Sequence, residues 1–250
     1  ADGTTALSLD GPQKTALTDA FSITLQPDTN ANSGAVNWEY TIAETDLDFL
    51  GTGDTIDLTF RITVDDGAGG TDTEDVAISS TGTNDAPVLD LNGSAIDVDN
   101  SIVFLPRGND VQLFDDTELV LTELDDGDQL QRLELTFDDA TAIDNILGAI
   151  EDIQWEGIYS GAKGTTSFTA GDGTTLAISG TGTETDPLVI EGLGSTAAYK
   201  EAMLSLFYYN DNPNATAGER SVTVSVTDVG DTLDSAITTV PDSTPNEGTS

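Results

Sequence analysis

The sequence contains no cysteine and no histidine, and it sets only 7 lysines and arginines against 46 aspartates and glutamates. Without cysteine there is neither a disulfide framework nor a thiolate metal site. Without histidine, imidazole is lost both as a general base and as a zinc ligand. A formal net charge of −39 repels nucleic acid, whose binding needs cationic side chains to displace counterions. It repels anionic lipid surfaces too. No apolar run reaches transmembrane length, so no nucleic-acid partner and no direct membrane insertion are expected. The abundant ligand chemistry is oxygen, from carboxylates, carboxamides and carbonyls, and that suits a hard cation such as Ca²⁺. Solubility or adaptation to high salt is a competing reason for so acidic a surface.

The 250 residues, 37% of them hydrophobic, allow one large domain or two modest ones with lean cores. The opening "ADGTTALSLD" carries no signal-peptide pattern. It begins mid-pattern, the close "PDSTPNEGTS" reads as linker, and the chain reads as a piece of something longer. Between them, apolar residues alternate. Ile56, Leu58, Phe60, Ile62 and Val64 fall on one face, while Asp57, Thr59, Arg61 and Thr63 take the other. That period predicts a half-buried strand. Phe21, Ile23 and Leu25 alternate likewise, as do Val36, Trp38, Tyr40 and Ile42.

Turn-forming clusters such as "QPDTNANSG" and "DDGAGGTDTED" separate these runs, which is the pattern of a β-sandwich. After "STGTNDAPVLDLNG" a longer unit begins, with strands expected around Leu119–Thr122, at Leu133, Leu135 and Phe137, and at Val222, Val224 and Val226. "STAAYKEAMLSLFYYN" differs: Ser195 can cap a helix, and Tyr199, Met203 and Phe207 recur at helical spacing. Aligning "FRITVDDGAGG" with "VTVSVTDVGDT" matches Asp66 to Asp228, and the match slips after the turn. Two tandem units, each closing in the same hairpin, account for this.

The first unit, "VNWEYTIAETDLDFLGTGDTIDLTFRITVDDGAGGTDTEDVAISSTGTNDAPV", resembles a VCBS repeat, a tandem immunoglobulin-like module of giant bacterial surface adhesins and RTX-type exported proteins. An N-terminal strand is missing from the match. The second unit resembles the bacterial cadherin-like modules of the same proteins, through "APVLDLNG", "LVLTELDDGDQLQRLELTF", "LVIEGLGSTAAYKEAMLSLFYYN" and "RSVTVSVTDVG". The segment 138–182 is poorly constrained by it. The fold these resemblances imply is all-β: two tandem immunoglobulin/cadherin-like β-sandwiches over 1–86 and 87–240, the second with one short helix and an insertion, followed by a linker over 241–250. They further imply secretion, display on a bacterial cell surface as in biofilms, a monomer whose partners are neighbouring tandem modules of the same chain, and calcium-dependent stiffening.

The cadherin resemblance also implies a ligand set. Asn84 and Asp85 match the linker, Asp126 and Asp128 the DxD loop with Asp125 beside them, and Asp228 the late aspartate. Asp54, Glu44 and Asp46 match the contribution of the first unit. By the hairpin alignment, Asp65 and Asp66, with Asp19, would form half of a second site. "DLNG", with Asp90 and Asn92, and "DVDN" resemble short calcium loops. Against each stands an ordinary reading, because Asp and Asn favour turns by bonding nearby amides.

No catalytic activity is expected: no carboxylate spacing singles out an acid–base pair, and "GTGTE" and "GDGTT" lack the context of a phosphate loop. Asp186–Pro187, a labile bond in some self-processing modules, reads as a turn. The alternative function is a ligand-binding adhesion module, with Trp155, Tyr159, Tyr208 and Tyr209 of the second unit stacking on a cell-surface glycan or protein. The competing reading of these aromatics is core packing.

Overall fold

The computed structural model describes residues 8–25, 35–93, 100–101, 110–125, 127, 129–137, 156–180, 186–210, 219–230 and 233–241. Among them the chain is mostly β, with several antiparallel sheets and two α-helices. It divides into two compact units, Ala1–Asp85 with Asp125–Gly127, and Ala86–Leu124 with Asp128–Ser250.

In the first unit, helix α1 (Gly11–Asp19) opens with a capping box, in which Asp10 accepts from the Gln13 amide and Gln13 returns a bond to the Asp10 amide, both at 2.8 Å. This pattern satisfies two of the donors that a helix start leaves orphaned. The alternation analysis, tuned to strands, does not anticipate this helix. Strands β1 (Phe21–Leu25) and β2 (Val36–Tyr40) pair antiparallel, with Phe21 opposite Tyr40 and Ile23 opposite Trp38. Strands β3 (Thr55–Asp65) and β4 (Thr71–Thr81) form a second antiparallel ribbon.

Alternation puts the aromatic residues of the two ribbons in reach of each other. Phe21 stacks on Phe60 with ring centroids 4.2 Å apart, and Trp38 flanks Phe21 while Tyr40 flanks Phe60, each at 5.9 Å. Trp38 nonetheless keeps 48% of its surface exposed. A separate small core gathers buried Leu17, Leu50 and Ile56, with Leu9, Ile42, Leu47, Phe49 and Leu58 packed around it.

The second unit holds β5 (Val88–Asp90), β6 (Asn100–Ser101), β7 (Val111–Gln112), β8 (Val120–Thr122), β9 (Leu130–Phe137), β10 (Glu156–Ser160), β11 (Ser167–Thr169), β12 (Thr175–Ser179), β13 (Leu188–Gly194), α2 (Thr196–Leu204), β14 (Leu206–Asn210), β15 (Glu219–Asp228) and β16 (Leu233–Pro241). Its largest sheet runs β11-β12-β13-β9-β15-β16-β6, antiparallel except where β6 joins β16. Sheets β10-β14-β7 and β5-β8 complete it.

Leu133 and Leu135 of β9, Val222, Val224 and Val226 of β15, Ile190, Leu89, Leu121, Ile158 and Tyr208 all bury into one core. The period-two pattern of β9 and β15 therefore marks the face that goes inward. Helix α2 starts at the expected cap, Ser195, whose hydroxyl accepts from the Ala198 amide. It ends earlier than the spacing of Tyr199, Met203 and Phe207 suggests. Ser205 bonds back to the Ala202 carbonyl through both its amide and its hydroxyl, and Phe207 passes into β14 opposite Tyr159. Buried Tyr199 reaches from α2 to β13, its hydroxyl donating to the Gly192 carbonyl at 2.7 Å, where the β13–β9 register shifts.

The two closing hairpins are equivalent in register. Asp65 opposes Thr71, and Thr227 opposes Leu233, so five residues separate the last paired positions in each.

Candidate functional site

In the first unit, the segment that leaves β4 bonds to Asp125 and comes under the charges of Glu44 and Asp48. The segment after β4 is pinned by the backbone: the Gly82 amide donates to the Asp54 carbonyl at 2.9 Å. Only glycine fits there, because a Cβ on Gly82 would stand 2.0 Å from the Leu50 carbonyl oxygen. Asn84 and Asp85 follow directly. The Asn84 side-chain amide donates to the Asp85 carbonyl at 3.2 Å, and the Asp85 amide donates to Oδ2 of Asp125 at 2.9 Å. Asp125 is 2% exposed, and it clusters with the first unit although Leu124 just before it belongs to the second.

The carboxyl of half-buried Asp85 is pushed above its ordinary range, first by burial and then by the like charges of Asp48 and Glu44. Glu44 lies in the 3-10 turn Glu44–Asp46, and Asp48 follows it. Asp46, two residues on from Glu44, is not among the charges acting on Asp85. Asp48, which the sequence did not single out, lies in the turn that follows the 3-10 segment.

Asp54, also proposed from the sequence, is buried at 8% exposure. Its carbonyl holds Gly82, and its amide donates to the Gly51 carbonyl at 3.0 Å. Asp126 and Asp128 lie outside the described residues, as do Asp97 to Asp99 of "DVDN". Among the described residues no group of three acidic side chains is close enough to hold a metal ion.

The remaining candidates stand apart from one another. Asp228 ends β15 with none of its surface exposed, beside a register shift at which Val229 donates to the Gln129 carbonyl. Its repeat partner Asp66 is exposed and occupied by its own turn, where Oδ1 accepts from the Ala68 amide at 2.7 Å and the Gly70 amide at 2.9 Å. Those bonds, to Ala68 first and Gly70 second, hold its carboxyl below the usual range. Asp65 accepts likewise from Gly67. Asp19 closes α1, and among the described residues no hydrogen bond joins it to Asp65 or Asp66. Asp90 accepts from the amides of Asn92 and Gly93 at 2.9 and 3.0 Å, an Asx turn completed by Gly93 at φ 66°.

Of the aromatic residues named from the sequence, Tyr208 is core and Tyr159 and Tyr209 are half-buried. Trp155 lies outside the described residues.

The chain matches no protein-family model, and no curated protein is similar to it.

Proposed function

We propose that the chain is a calcium-binding, calcium-stiffened extender of a secreted or surface-displayed bacterial adhesin, built as two tandem immunoglobulin/cadherin-like β-sandwiches. The observation that supports it most is Asp85, whose backbone is tied to buried Asp125 while its carboxyl is pushed above its ordinary range, first by burial and then by the like charges of Asp48 and Glu44. Gathering like charges raises the free energy of the folded state unless a cation compensates. The donors are all carboxylate and carboxamide oxygens, the class a calcium ion takes in sets of six to eight.

Asp85 and Asp125 would belong to the ligand set, with Asn84 beside them, and the further carboxylates that no described group of three provides would come from outside the described residues, where Asp126 and Asp128 of the DxD loop lie. When bound, the ion supplies positive charge that ties the exit segment Asn84–Asp85 to the Asp125 loop. Because this segment carries the chain from one unit into the next, immobilising it would stiffen a string of such modules. The partners are then neighbouring modules of the same parent chain, and the chain acts as a monomer without catalysis.

Thermal melting in calcium against chelator tests this. A ligand at about 100 times its Kd stabilises by about 2.7 kcal/mol. For a unit of this size, that corresponds to a rise in Tm on the order of 10 °C. Sodium chloride at matched ionic strength should leave the melt well below that. Equal shifts from both salts would assign the acidity to salt adaptation, and no shift from either would overturn the proposal.

A further inference from the structure

The three-stranded sheet of the second unit sorts its aromatic residues by face. In β10 and β14, Ile158 opposes Tyr208, and both are buried. The alternate positions carry Tyr159, Phe207 and Tyr209, all half-buried. Tyr159 stacks on Phe207 with centroids 5.6 Å apart and tilts against Tyr209 at 5.9 Å. Its hydroxyl donates to Asp110 at 2.8 Å, which fixes the ring in place. Lys163, from the loop after β10, lays its ammonium 3.7 Å from the centre of the Tyr209 ring and 5.8 Å from that of Tyr159.

Tyr159, Tyr209 and Lys163 border a cavity of about 140 Å³ whose other walls include Thr165, Ile178 and Leu188. Its size decides what fits. An apolar protein cavity of about 150 Å³ accommodates one benzene ring, so this one has room for about a single six-membered ring. Its chemistry decides the rest. Tyrosine faces and aliphatic walls suit the C–H face of a pyranose, the Thr165 hydroxyl suits its hydroxyls, and a lysine ammonium suits an anionic substituent. With only 7 basic residues in 250, a lysine placed over two tyrosines at a cavity wall is a selective feature.

We propose that this cavity binds the terminal unit of an acidic glycan, a pyranose bearing a carboxylate, with Tyr159 and Tyr209 as the stacking surface and Lys163 as the counter-charge. The site lies wholly in the second unit and does not depend on calcium at Asp85. The protein's own negative field opposes an anionic ligand, but at physiological salt that field decays over about 8 Å, so the near charges decide: Lys163 over the two rings, against Asp110 at the Tyr159 hydroxyl.

Titration of the full chain with methyl β-D-glucuronide, by saturation-transfer NMR and calorimetry in physiological salt, tests the site. The expected result is saturable binding with a Kd in the millimolar range typical of about one ring's worth of contact. Methyl β-D-glucoside and acetate should each bind at least about tenfold more weakly, since each lacks one of the two recognition elements. Lys163→Gln should reduce glucuronide affinity about tenfold and leave the weak glucoside binding unchanged. Its melting curve reports whether the fold is intact, and Tyr209→Ala, which should abolish binding of both sugars, provides a second variant. Absence of saturation, equal affinity for the neutral sugar, or unchanged glucuronide binding in folded Lys163→Gln would each overturn the assignment. Running the series in calcium and in chelator should give the same affinities.

Discussion

Asp66 sits in a glycine-rich turn and Asp85 in the segment that leaves β4, and their surroundings push them in opposite directions. The Asp66 carboxylate gains bonds from the Ala68 and Gly70 amides, so its stabilising contribution is present above the ordinary aspartate pKa and disappears as pH falls through its lowered folded value. Asp85 is raised by burial, Asp48 and Glu44, so the sign reverses. Its favourable contribution is complete below the ordinary aspartate range, near pH 4, and is lost as pH rises through the raised folded value. At neutral pH in chelator, Asp85→Asn should therefore melt higher than the wild type, an advantage that vanishes on acidification. In calcium the order should invert, because the variant forfeits the ion's stabilisation. Parallel melts in the two buffers check this, and a variant that keeps the full calcium shift would remove Asp85 from the ligand set.

At the scale of elements, Tyr199 joins α2 to the irregular edge of β13. Tyr199→Phe would leave the Gly192 carbonyl without its buried donor, and such a loss costs about 1–3 kcal/mol. Chemical denaturation should show this as a lower midpoint with an unchanged slope. Strands β3, β9 and β15 were legible in the sequence because each carries a clean period of two, and the Ser195 cap was legible because capping chemistry is local. Three features were not. Helix α1 lies in a stretch with only one buried residue, Leu17, so it offers no apolar stripe to read. The end of α2 is set by backbone bonds of Ser205, and Phe207 happens to continue the helical spacing into a strand. Asp48 was not legible because nothing in "ETDLD" separates it from Glu44 and Asp46, and its effect on Asp85 depends on the 3-10 segment and the turn after it. Hairpin register aligned Asp66 with Asp228, but burial depends on what covers the turn, and there the two copies part.

Over the whole molecule, the cores differ greatly in extent. One is a handful of side chains around Leu17, Leu50 and Ile56, and the other is a continuous body linking three sheets and a helix. Apolar burial contributes about 25 cal/mol per Å², so the second unit should be the more stable, and calorimetry should resolve two transitions. The lower one belongs to the first unit, and calcium should move it alone. A single transition that calcium shifts as a whole would show instead that the units unfold together.

Trp38, half out of the protein yet stacked on Phe21, makes that assignment optically accessible. The chain has only two tryptophans, so Trp155→Phe leaves a single emitter, located on the smaller unit. Its fluorescence would then track one event in isolation, giving the protein an intrinsic gauge of when its smaller unit comes apart.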